Sequence, residues 1–149
     1  MKPEAVKTET EIPSVALFLD PGEKGIVGDM TVVNDGEAPV KLTVRGEGVV
    51  IREKHVIKDE EATTPALKVY YMVMNMYLDP ATFEAACKPF LELSRQLVTS
   101  VPSTGMIMAD IGEYMMAGDF RAAFESCFAL LEYEEVLEKA AARPADNTA

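Results

Sequence analysis

Apolar and polar positions change their rhythm twice along the chain. Ser14–Leu19 is a short apolar run closed by Asp20-Pro21-Gly22-Glu23, where proline fixes φ and glycine frees it, which predicts a strand followed by a turn. Ile26–Val33 reads as a second strand, bent at Gly28. Asn34-Asp35-Gly36 carries the strongest hairpin signal of the chain, since Asn and Gly tolerate the positive φ such turns need. Val40, Leu42 and Val44 then alternate with Lys41, Thr43 and Arg45, the period of a half-buried strand. Gly46-Glu47-Gly48 interrupts, and Val49–Ile57 resumes as one or two short strands. The first part of the chain is therefore expected to be a small antiparallel sheet or partial barrel. A sheet of that size needs a partner surface.

The rhythm becomes helical after Asp59-Glu60-Glu61. Thr63 or Thr64 is the expected cap, with Pro65 in the first helical position. From Ala66 to Leu78 the helix is apolar on almost every side, which places it centrally in a bundle or at an interface. Asp79-Pro80 ends it. Thr82–Val98 is the next helix, with a kink or late start implied by Pro89. Ser103 or Thr104 opens a shorter one through Met116, and Gly118 closes it. Asp119 caps the last helix, whose apolar stripe runs through Phe120, Ala123, Phe124, Cys127, Phe128, Leu130 and Leu131. The pattern predicts an α+β protein: a polar extension over 1–12, an antiparallel β subdomain over 13–59, a bundle of about four helices over 63–139, and a tail over 140–149.

Composition adds limits. At 149 residues with 48% hydrophobic and 26% charged side chains, the chain can bury a core without metal or disulfide support. The net charge of -11 argues against a broadly basic surface for nucleic acid or membrane. No signal-peptide core or membrane-spanning run is present, so a cytoplasmic location is expected. Cys87 and Cys127 stand far apart with no ligand spacing, and His55 is the single histidine. No metal, cofactor or catalytic residue is expected, because neither a nucleophile with an adjacent base nor a phosphate-binding loop can be assembled.

Charge distribution says more than its total. Residues 61–149 are net -7, whereas 38–58 are net +3 through Lys41, Arg45, Arg52, Lys54 and Lys58. Lys41 and Arg45 share strand parity, and so do Arg52, Lys54 and Lys58 if that segment is extended. Two such rows on adjacent strands would make one basic face able to contact the phosphates of single-stranded RNA. No exposed aromatic platform stands out within the sheet. The Met- and Tyr-rich first helix suits a partner or oligomer interface, with Tyr70, Tyr71, Met74, Tyr77, Phe124 and Phe128 as its candidates.

A family resemblance now becomes visible. Val50-Ile51-Arg52-Glu53-Lys54-His55-Val56-Ile57, then Thr63-Thr64-Pro65-Ala66, then Val69-Tyr70-Tyr71 leading into Met76-Tyr77-Leu78, resemble the central signature of the FlbT family. Leu19-Asp20-Pro21-Gly22-Glu23-Lys24, Gly118-Asp119-Phe120-Arg121-Ala122-Ala123 and Leu131-Glu132-Tyr133-Glu134 agree on either side, collinear over Ser14–Leu137. The resemblance implies a cytoplasmic repressor of flagellin synthesis, without catalysis, that associates with the 5′ untranslated region of flagellin mRNA and promotes its decay. It also implies opposition to a FlaF-type activator. The sheet half is similar to the CsrA family in Gly22-Glu23, Ile26-Val27-Gly28-Asp29 and Val50-Ile51-Arg52-Glu53, which implies RNA contact through Arg52. The alternative function is a protein-binding adaptor or chaperone of the flagellin system, with flagellin or a FlaF-type protein as partner. A homo-oligomer would unite both, by repeating a weak RNA contact.

Overall fold

A computed structural model describes residues 12–142; residues 1–11 of the expected N-terminal extension and 143–149 of the expected tail lie outside them. Among the described residues the architecture is α+β, with five strands preceding four helices. The chain divides into two compact units, with the division between Val56 and Ile57.

The first unit holds β1 (Ser14–Leu19), β2 (Lys24–Val27), β3 (Met30–Val33), β4 (Val40–Arg45) and β5 (Val50–Arg52). They form two small antiparallel sheets, β1–β4 and β3–β2–β5. In the first, Ser14 faces Arg45 and Leu19 faces Val40. In the second, Gly25 lies between Val32 and Arg52. Leu17, Leu19 and Ile51 are buried. Gly25 makes the closure possible: a Cβ there would stand 3.0 Å from Leu17 Cδ2 and 3.3 Å from Leu19 Cδ2. Its φ is ordinary, so the position requires an absent side chain rather than a special backbone.

Two expectations about turns are corrected. Ile26–Val33 is not one bent strand but a hairpin, in which Val27 pairs with Met30 across the two-residue turn Gly28-Asp29. Gly28 supplies the positive φ (64°) at the first turn position, as a type II′ hairpin demands. Asn34-Asp35-Gly36 forms no hairpin; it lies in the crossover from β3 to β4, which belong to different sheets. There the buried Asn34 amide donates to Leu19 O (3.0 Å) and Ala38 O (2.9 Å) and accepts from the Gly36 N–H (2.9 Å). Its backbone continues the hairpin ladder through Glu23 and Gly22. Tertiary demand for that amide outweighs local turn propensity.

The second unit contains α1 (Pro65–Leu78), α2 (Phe83–Ser100), α3 (Gly105–Met116) and α4 (Phe120–Ala142). The α1 start is capped by Thr64, whose Oγ1 accepts from the Leu67 N–H at 3.1 Å. Thr64 Oγ1 also donates to Glu134 of α4, while Glu134 takes the Ala66 N–H, so α4 completes the α1 cap. Asp119 caps α4 through the Ala122 N–H, and Gly118 ends α3 with φ at 80°. Thr104 does not cap α3; its buried hydroxyl donates to Val101 O instead. Pro89 is retained inside a continuous α2 rather than delaying its start. α4 runs through Ala142, into the stretch expected to be tail.

α1 packs against both α4 and α2, and α3 against α4. This placement explains why α1 is apolar on several sides. Tyr70 meets Phe124 and Phe128 with ring centroids at 5.0 and 5.5 Å, and Tyr77 stacks on Phe124 at 5.6 Å. Four expected interface residues, Tyr70, Met74, Tyr77 and Phe124, are buried, and the three rings among them pack inside the helical unit. They are unavailable to a partner or a second copy. Tyr71 and Phe128 stay half-buried. Among the described residues no helix is long and apolar enough to cross a membrane.

Candidate nucleic-acid interface on the first sheet

Strand alternation in β1 and β4 turns one set of side chains inward and the other outward. Leu17 and Leu19 go in; Ser14, Ala16 and Phe18 come out, as do Lys41, Thr43 and Arg45 of β4. Register places them as three cross-strand rows: Ser14 beside Arg45, Ala16 beside Thr43, and Phe18 beside Lys41. Lys41 and Arg45 are separated by about 13 Å along the strand. Phe18 is 52% exposed, and the Lys41 ammonium sits 5.8 Å from its ring centroid. An exposed aromatic ring with cations at either end of one strand face is therefore built into this sheet.

Phe18 was not legible as such. Val15-Ala16-Leu17-Phe18-Leu19 is apolar throughout, so periodicity cannot say which face is outward. Only pairing with the alternating β4 assigns it.

The five cations expected on one face are divided. β4 pairs with β1, and β5 with β2, so the two rows do not lie on adjacent paired strands. The second row is not extended either: β5 ends at Arg52, Glu53–His55 is a 3-10 turn, and strand parity no longer relates Arg52 to Lys54. Lys54 is exposed in that turn. Lys58 falls beyond the unit boundary, ahead of a second short turn at Asp59–Glu61.

Arg52 has an internal task. Its Nε donates to Glu23 Oε2 at 2.8 Å and its Nη2 to Glu23 Oε1 at 2.5 Å, with Asp20 Oδ2 at 3.5 Å. The Asp20 N–H also donates to Glu23, so the turn before β2 is held to the end of β5. Hydrogen bonding from Arg52, then from Asp20, holds the Glu23 carboxyl down at about 2. The same pair pushes the Arg52 pKa up. Burial, helped by the positive charges of Arg52 and Lys54, lowers the pKa of His55.

A family model described as flagellar protein FlbT matches residues 15–137. The chain belongs to the FlbT family. The match runs from β1 into the second half of α4 and includes Phe18, Lys41, Arg45 and Arg52.

Curated FlbT relatives agree. The chain is 35% identical to the probable flagellum biosynthesis repressor protein FlbT 1 of Bradyrhizobium diazoefficiens over 122 residues, 80% of this chain and 81% of that one. It is 32% identical to the probable flagellum biosynthesis repressor protein FlbT of Caulobacter sp. strain K31, covering 80% and 92%. It is 30% identical to the flagellum biosynthesis repressor protein FlbT of Caulobacter vibrioides, covering 80% and 85%. No solved structure matches the chain significantly.

Proposed function

We propose that this FlbT-family chain represses flagellin synthesis after transcription, in the cytoplasm, by associating with the 5′ untranslated region of flagellin mRNA and promoting its decay. The repressor names of its relatives support the biological role. The outward face of β1–β4 supports contact with single-stranded RNA, and the observation that carries it is Phe18 with Lys41 over its ring.

An arriving base stacks on Phe18 and displaces Lys41 toward a phosphate. An exposed cation–π contact is worth about 0.5–1 kcal/mol. Stacking of a base on an aromatic side chain is worth about 1–3 kcal/mol. The exchange is favourable before Lys41 gains its phosphate. Arg45 supplies the second contact. The overall charge of -11 keeps duplex and unrelated RNA away, so affinity depends on this patch and on bases free to stack.

The test is a fluorescence anisotropy titration of the full chain against the flagellin leader RNA and a scrambled control. Leader-selective binding is expected, with a log–log salt slope of about -1.4 for two phosphate contacts on a single strand. Phe18→Ala and Lys41→Ala, both on the exposed face, are expected to weaken it at least fivefold. A folded wild-type chain that binds both RNAs equally, or neither, overturns the reading.

A further inference from the structure

The β1–β4 face sorts its chemistry by strand. Its cations, Lys41 and Arg45, both stand on β4, whereas its aromatic ring, Phe18, stands on β1. A nucleotide strand held there by phosphate contacts and base stacking therefore runs its backbone along β4 and turns its bases over β1. The position between the two cations on β4 lies under the sugars. It is occupied by Thr43, which is exposed.

Register fixes how far Thr43 stands from the stacking ring. The Gly46 N–H donates to Pro13 O at 2.9 Å, so hydrogen-bonded and non-hydrogen-bonded pairs alternate from there along the ladder. Phe18–Lys41 and Ala16–Thr43 are both non-hydrogen-bonded pairs, the kind in which facing side chains stand closest. The two rows are about 7 Å apart. Stacked nucleotides of one strand are only about 3.4 Å apart. A strand that follows the rows is thus unstacked, with one nucleotide to each row, which is the state in which RNA bases are read.

The middle row differs from its neighbours. Ala16 offers neither a ring nor a charge, and leaves room above β1 for the base next to the one on Phe18. Thr43 offers a hydroxyl, which both donates and accepts. Phosphate oxygens only accept, and the cations on either side suit them better. The ribose 2′-hydroxyl is, like Thr43, donor and acceptor together, and it is the group that separates RNA from DNA.

We propose that Thr43 is a specificity-determining residue: it hydrogen-bonds the ribose 2′-hydroxyl of the nucleotide adjoining the one stacked on Phe18, and so selects RNA over DNA. This role rests on the RNA reading of the same face and adds the sugar to what is recognised.

Short single-stranded RNAs tiling the flagellin leader are titrated by anisotropy against the full chain. The tightest is remade with one abasic or one 2′-deoxy position at a time. One abasic position is expected to remove the effect of Phe18→Ala, which marks the base on the ring. One 2′-deoxy substitution, immediately beside that position, is expected to weaken binding about fivefold, the size of one net hydrogen bond. Thr43→Val keeps the β-branched shape favoured in strands. It is expected to lose the same factor on the all-ribose RNA and to be indifferent to the 2′-deoxy substitution, whereas Thr43→Ser stays sensitive. With dependence on Phe18 intact, a 2′-deoxy effect that survives Thr43→Val, or none beside the marked base, overturns the role of Thr43 and leaves the RNA reading standing. Binding by none of the RNAs, or binding indifferent to Phe18→Ala, overturns both.

Discussion

The Arg52 guanidinium and the Glu23 carboxylate, 29 positions apart in sequence, form a two-point ion pair that ties the end of β5 to the turn entering β2. Charge-assisted, bidentate pairs are among the stronger polar contacts, so Arg52 serves the fold before it serves any ligand. Arg52→Ala is therefore expected to raise the Glu23 pKa from about 2 toward the ordinary 4.5, as read by carboxyl NMR titration. Because the folded value is the lower one, the contribution is present above 4.5 and fades as pH falls toward 2. The variant loses that acid dependence. A Glu23 that still titrates near 2 in Arg52→Ala would refute the assignment.

Gly25 and Gly112 separate two uses of glycine. Gly25→Ala brings a methyl to 3.0 Å from Leu17 Cδ2, between two packed sheets. Denaturant unfolding is expected to show a loss of about 1–3 kcal/mol. Gly112 lies inside α3 with open space where its Cβ would be. Gly112→Ala is expected to stabilise by about 0.5–1 kcal/mol. The same substitution with the same sign at both sites would contradict the packing described.

Asn34 tests whether the crossover is held by its amide. Asn34→Ala leaves two carbonyls and the Gly36 N–H without their partner. The expected loss is about 1–3 kcal/mol. Asn34→Asp is expected to be worse at pH 7, since it sets a carboxylate against the Leu19 and Ala38 oxygens. Lowering the pH to protonate that carboxylate should recover part of the difference. An aspartate variant as stable as wild type at pH 7 would show that the amide donates to neither oxygen.

His55 gives the chain a pH dependence near neutrality. Its folded pKa lies below 6.5, chiefly through burial and then through Arg52 and Lys54, with Glu23 opposing. Below that pH the unfolded chain takes up a proton that the folded chain refuses. Stability should fall as pH drops through 6.5, with a slope of at most about 1.4 kcal/mol per pH unit. His55→Gln should flatten this part of the profile, measured by urea unfolding between pH 5 and 8. An unchanged profile would assign the dependence to another group.

Legibility followed the range of the forces involved. α1, α4 and their caps were readable because Thr64, Pro65 and Asp119 act within one turn of themselves. β4 was readable because its alternation is local. Phe18 and Asn34 were not, since one depends on which strand pairs beside it and the other on a carbonyl 15 positions upstream. Arg52 looked available because no local pattern announces Glu23. Tyr70, Tyr77 and Phe124 looked like an interface because a helix apolar all round has the same pattern whether its neighbours lie in the same chain or another.

The shared cap between α1 and α4 also sets an order of events during synthesis. Thr64 leaves the ribosome 70 residues before Glu134, the residue that completes its hydrogen bonds. At about 5–20 residues per second, that interval is roughly 4–14 s. Throughout it, α1 exists without the helix that packs on its Tyr70 and Tyr77. A product released early, before α4 is made, therefore displays Tyr70 and Tyr77 to the cell's quality-control machinery, and only the finished chain withdraws them.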